Sequence, residues 1–158
     1  MTIAHLLPVP APTASLDAPT SIAPTAHLGS AQGGPRLVLR IEAAVVFVAG
    51  LAAYAWQGGS WSWFALLFLL PDLSMLGYLG GPRLGAGLYN AAHSYVAPAA
   101  LAALALAGHA QFPLLGAIIW IAHIGLDRLL GYGLKYSTAF GDTHLGRIGR
   151  AHAQRRRA

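Results

Sequence analysis

Apolar residues in this chain come in long runs, and polar ones gather between them. The runs cover residues 37–56, 61–79, 84–107 and 113–131. Each is close to the ~20 apolar residues needed to cross ~30 Å of hydrocarbon. Backbone groups inside a bilayer must be paired within the segment, so the pattern predicts helices. The expected fold is all-α, a four-helix transmembrane bundle with short hairpins. Trp61 and Trp63 open the second run as interfacial anchors. Gly85, Ala86, Gly87, Ala91 and Ala92 allow close helix approach in the third. Pro71 and Pro98 are expected to kink the second and third spans.

Charge fixes an orientation for these spans. Arg36 and Arg40 lie at the start of the first run and Arg83 lies between the second and third. Arg128, Lys135, Arg147, Arg150, Arg155, Arg156 and Arg157 end or follow the fourth. The connections at 57–60 and 108–112 carry no Lys, Arg, Asp or Glu. Short basic loops stay cytoplasmic, so a multi-pass membrane chain with both termini in the cytoplasm is expected. The Ala-, Pro- and Arg-rich usage is compatible with a bacterial inner membrane.

Composition agrees. Of 158 residues, 56% are hydrophobic and 9% charged, far from the quarter usual in soluble domains. The net charge of +5 flanks apolar spans, which points to anionic lipid heads; nucleic acid is not an expected partner. The bilayer is, and a homo-oligomer would suit a carrier, because four helices enclose little room for a path. The chain has no cysteine, which excludes disulfides and thiolate ligands. Residues 1–35 are rich in Pro, Ala, Thr and Ser without apolar periodicity, a composition that predicts disorder. The membrane domain is placed at 36–150, and 151–158 form a basic tail.

Ionisable side chains inside spans are costly and mark functional sites. Asp72, His93 and His123 each fall ten to twelve residues from a cytoplasmic basic residue. At 1.5 Å per residue all three lie ~15–18 Å deep. Asp127 follows His123 by four residues and shares its face. Two imidazoles with carboxylates supply nitrogen and oxygen ligands for a divalent ion such as Zn, Mn or Fe. The predicted metal ligands are therefore Asp72, His93, His123 and Asp127. Asp127 or Glu42 would serve as catalytic base. Asn90, Arg83, Arg128, Asp142 and His144 are the predicted substrate-binding residues. Interhelical hydrogen bonding and a proton-coupled path are the competing readings of the same cluster.

Several runs carry a resemblance. Pro71-Asp-Leu-Ser-Met-Leu-Gly-Tyr78, Gly81-Pro-Arg83 and Tyr89-Asn-Ala-Ala-His-Ser94 are similar to a small bacterial membrane family. So are Ala122-His-Ile-Gly-Leu-Asp-Arg128, Gly131-Tyr-Gly-Leu-Lys-Tyr136 and Asp142-Thr-His-Leu-Gly146. The family is that of domain of unknown function 4260, and the resemblance covers about residues 36–150. It implies a membrane location without a reaction. More loosely, Leu70-Pro-Asp72 with His93-Ser94 resembles the Leu-Pro-Asp and Thr-His-Ser elements of inner-membrane metal-dependent hydrolases. There the Asp and His are taken as metal ligands. Here Ala92 stands in place of Thr and the stretch has no second histidine.

Overall fold

The computed structural model describes residues 29–148. Residues 1–28 of the expected tail and the basic segment 151–158 lie outside the described residues. The order is α1 (Gly33–Trp56), α2 (Trp61–Phe68), a 3₁₀ helix (Leu70–Gly80), α3 (Pro82–Ala92), α4 (Val96–Ala107) and α5 (Gln111–Leu130). Two two-residue strands follow, β1 (Asp142–Thr143) and β2 (Gly146–Arg147), paired antiparallel. The chain is helical apart from this small hairpin. α1 starts ahead of the expected residue 37, with Pro35 in its first turn, where a missing N–H costs nothing.

Three segments are long and apolar enough to cross a membrane: Gly33–Trp56, Trp61–Gly80 and Gln111–Leu130. The expected third span is not one helix. It breaks at His93, Ser94 and Tyr95, between α3 and α4. Proline explains the position, because its ring denies a partner to the carbonyl four residues upstream, here Ser94. Pro98 thus sits in the first turn of α4 and starts a helix instead of bending one. Pro71 acts similarly: α2 stops at Phe68 and the span continues as a 3₁₀ helix.

Helix α5 is the centre of the bundle. It packs along α1, along α4 and, over a shorter length, against α2, while α3 lies along the 3₁₀ helix. Small residues set the α1–α5 distance. A Cβ on Gly125 would stand 2.9 Å from the Phe47 nitrogen, and one on Gly50 would stand 3.0 Å from Ala122 Cβ. Arg40 Nε donates to the Leu129 carbonyl at 2.7 Å, satisfying one of the last carbonyls of α5. Gly131, at φ 102°, then ends α5 in the left-handed conformation glycine favours. The outward faces stay apolar: Val45 is 63% exposed and Leu66 is 67% exposed.

The loop after α5 folds back under α3. Lys135 bridges Thr143, and the Asn90 side chain grips the Lys135 main chain twice. Its Oδ1 accepts from Lys135 N at 2.7 Å and its Nδ2 donates to Lys135 O at 2.8 Å. The segment before α1 joins this layer, since Ala31 N donates to the His144 carbonyl and Tyr136 Oη to the Gly29 carbonyl.

Candidate metal centre

Four side chains from three elements converge. Asp72 comes from the first turn of the 3₁₀ helix, His93 from the C-terminal end of α3, and His123 and Asp127 from successive turns of α5. Their nearest ligand atoms all lie within 4.8 Å of one another. His93 Nε2 is 3.2 Å from His123 Nε2 and 3.5 Å from both Asp72 Oδ1 and Asp127 Oδ2. His123 Nε2 is 3.6 Å from Asp72 Oδ1 and 3.8 Å from Asp127 Oδ2. Ligands about 2.0–2.2 Å from a common ion stand about 3.3–3.6 Å apart in a tetrahedron. Five of the separations fall close to that range.

The cluster is deep but not sealed. The side chains of His93 and His123 are 3% and 2% exposed, Asp127 17% and Asp72 34%. Asp72 therefore marks the open side. Burial of the histidines follows from aromatic walls, with Tyr89 stacked on His93 at 3.7 Å and Phe68 edge-on to His123 at 5.2 Å.

Neighbouring groups prepare these ligands. His93 Nδ1 lies 3.0 Å from the Tyr89 carbonyl, which can only accept. The proton therefore sits on Nδ1, and Nε2 presents its lone pair to the cluster. Tyr89 Oη donates to Asp127 Oδ2 at 3.1 Å. Trp120 Nε1 donates to the Ala92 carbonyl at 2.6 Å and ties the end of α3 to α5. His123 Nδ1 is buried with no hydrogen-bond partner among the described residues, so only its Nε2 faces polar company.

The chain belongs to DUF4260, a domain of unknown function, which matches over residues 36–148. No curated protein and no solved structure matches the chain. The DUF4260 region contains all four converging residues, and its end coincides with the loop that underlies them.

The other predicted site residues of this DUF4260 chain lie elsewhere. Asn90 is occupied with the Lys135 main chain. Asp142 pairs with Arg147 Nε at 2.8 Å and accepts from Thr138 Oγ1. Arg83 is exposed at the start of α3. Glu42, Arg128 and His144 line a separate cavity of about 160 Å³ with Tyr95. The Arg128 guanidinium lies 4.3 Å over the Tyr95 ring and reaches the His93 carbonyl at 3.4 Å. His144 Nδ1 accepts from Leu134 N at 2.8 Å. Burial and the Arg128 charge hold the His144 imidazole below its ordinary pKa.

Two contributors escaped the sequence reading. Tyr89 was findable from its i, i+4 spacing to His93. Lys135 was placed only as a flanking cation, yet it is 3% exposed, its Nζ 4.6 Å over the Tyr89 ring and 3.7 Å over that of Phe140. Burial pushes its ammonium below the ordinary lysine value, while the Asp127 and Asp72 charges pull the other way.

Proposed function

We propose that this is a multi-pass integral membrane protein with both termini cytoplasmic, in which α3 and α4 together make a fourth crossing. In this reading Asp72, His93, His123 and Asp127 would hold one divalent ion of the Zn, Mn or Fe kind, with water or substrate as a fifth ligand, in a hydrolase of a lipid-linked or phosphorylated substrate. The observation that carries it is the set of five ligand-atom separations between 3.2 and 3.8 Å. Charge supports it as well. Two carboxylates and two neutral imidazoles balance a divalent cation, whereas two ionised carboxylates alone in an apolar bundle would repel.

A bound ion supplies a Lewis acid that acidifies water and polarises a phosphoryl or carbonyl oxygen. The chain's own groups do the rest. Asp72, on the open side, admits the substrate. Asp127, fixed by the Tyr89 hydroxyl, accepts a proton. Arg128, on the far side of the His93 main chain, offers charge to an anionic group, and Glu42 lies across the cavity they share.

Metal analysis by mass spectrometry tests this on the full chain purified in detergent without chelators, beside His93→Ala/His123→Ala. Near-stoichiometric Zn, Mn or Fe in the parent and loss in a folded double variant are expected. An empty parent after divalent ions are supplied overturns the reading and leaves the cluster as interhelical bonding or a proton path.

A further inference from the structure

The seam between α2, the 3₁₀ helix and α5 holds two cavities, of about 530 and 270 Å³. Both are bounded by Leu67 and Gly116, which therefore stand at the boundary between them. The larger opens at the α1–α2 turn, where Ser60 and Gln111 supply polar atoms and Gln111 Nε2 donates to the Gln57 carbonyl. The smaller ends against Leu70, Pro71, Ala92 and Trp120, a wall that is apolar except for the Ser74 hydroxyl. Pro71 and Ala92 are the immediate neighbours of Asp72 and His93.

Gly116 is the informative residue. Gly50 and Gly125 of the same bundle lack a side chain because the opposite helix stands in its place. A Cβ on Gly116 would meet nothing within 4 Å. Packing within the protein gives no reason for glycine here, and a bare backbone that faces open space is suited to close approach by a ligand.

The dimensions and polarity identify that ligand. Along α5 the slot runs from Gln111 to Trp120, nine residue steps or about 13.5 Å. Half of a ~30 Å hydrocarbon core is about 15 Å, the depth of one leaflet. One end is polar and the rest, Ser74 aside, is apolar, the gradient of a single lipid. We propose that this slot binds one acyl chain of a phospholipid from the leaflet bordering the α1–α2 turn. The head group lies at Ser60 and Gln111, and the chain end reaches the wall behind Asp72 and His93. The bound chain closes the membrane-facing side of the cluster, leaving entry from the Asp72 side. The membrane placement is shared with the preceding section; the metal is not required.

The test uses the full chain in vesicles of phosphatidylethanolamine and phosphatidylglycerol. These are doped with phosphatidylglycerol carrying a diazirine either near the acyl carbonyl or near the terminal methyl. After irradiation, labelled residues are mapped by mass spectrometry. The carbonyl-proximal probe is expected on Ser60, Gln111 and Phe112, and the terminal probe on Leu70, Ala92 and Trp120. Gly116→Leu, whose Cβ meets no protein atom within 4 Å, should cut terminal-probe labelling to the level of Val45 and Val48 on the open face of α1. Leu67→Trp narrows the same waist from the opposite wall and should do likewise. Metal content measured on the same samples should be unchanged, and His93→Ala/His123→Ala should keep the labelling. Equal labelling of slot and α1 face, a reversed gradient, or indifference to both plugs overturns the proposal. So does occlusion of the slot by a second copy, seen as cross-links between chains.

Discussion

The two sides of α5 are built on opposite principles. Toward α1, helices touch through Gly50, Gly125, Ala43 and Ala122, and apart from Arg40 at the Leu129 carbonyl the contact is apolar and tight. Toward the 3₁₀ helix and α3, the same helix presents His123 and Asp127, and contact is made by converging polar groups and aromatic rings. One side has no tolerance for added atoms; the other keeps four titratable side chains within reach of one another. For helices placed in a bilayer, as proposed above, there is no hydrophobic force between them, so association must come from close packing or hydrogen bonds. This protein separates the two, letting the tight seam hold position while the polar side keeps groups available.

The sharpest way to break this contrast is Gly125→Val. Its added atoms meet the Phe47 and Ala43 main chain, which cannot yield as a flexible side chain would. Overpacking of this kind costs about 1–3 kcal/mol or more. A lower thermal midpoint in detergent, with bound metal lost together with the fold, is expected; an unchanged midpoint would show that the seam is looser than described.

Asn90→Ala probes the polar side. It strips both partners from the Lys135 main chain, and each unsatisfied group costs about 1–3 kcal/mol. Water can recover part of that, so the effect should stay local. Hydrogen exchange should rise across residues 131–148 while α1 and α5 remain protected. Uniform exchange throughout would mean that the loop and the bundle are one cooperative unit.

The smallest effect is expected from acid. The folded state holds the His144 pKa below its ordinary 6.5, so the unfolded chain binds more protons. Stability should be flat above that value and fall as pH drops from 6.5 towards the folded pKa. Protonating Nδ1 would also set it against the Leu134 N–H. His144→Gln should flatten this slope; a slope that persists would show that His144 is not its source.

Much of this organisation was legible in the sequence. Run length alone located Gly33–Trp56, Trp61–Gly80 and Gln111–Leu130 within a few residues, because length against bilayer thickness is a strong constraint. Depth arithmetic from Arg83 and Lys135 brought Asp72, His93 and His123 together, and their ligand atoms do meet, although the 3₁₀ stretch and the end of α5 at Leu130 break the uniform ~1.5 Å rise it assumed. It also set Asp127 a turn lower, but the side chain reaches back to the same point. What was not legible depended on choices between neighbours. Asn90 had a free amide in sequence, and only the folded loop shows that Lys135 takes both ends of it. Asp142 and His144 looked available until the hairpin supplied Arg147, Thr138 and Leu134 as partners. The break before Pro98 follows from proline chemistry, but a kink and a full interruption share the same sequence.

The 3₁₀ helix carries a mechanical consequence. From Asp72 to Tyr78, six residues at about 120° each return to the same angular position, and at about 2.0 Å each they advance about 12 Å. As an α-helix the same six would advance about 9 Å and leave Asp72 about 120° away from that line. Tyr78 is seated against Gly85 of α3, so one end of this stretch is anchored. Winding it into the commoner helix would therefore swing the carboxylate out of reach of both histidines. The pitch of eleven residues acts as a gear, and the protein engages Asp72 by the way it coils.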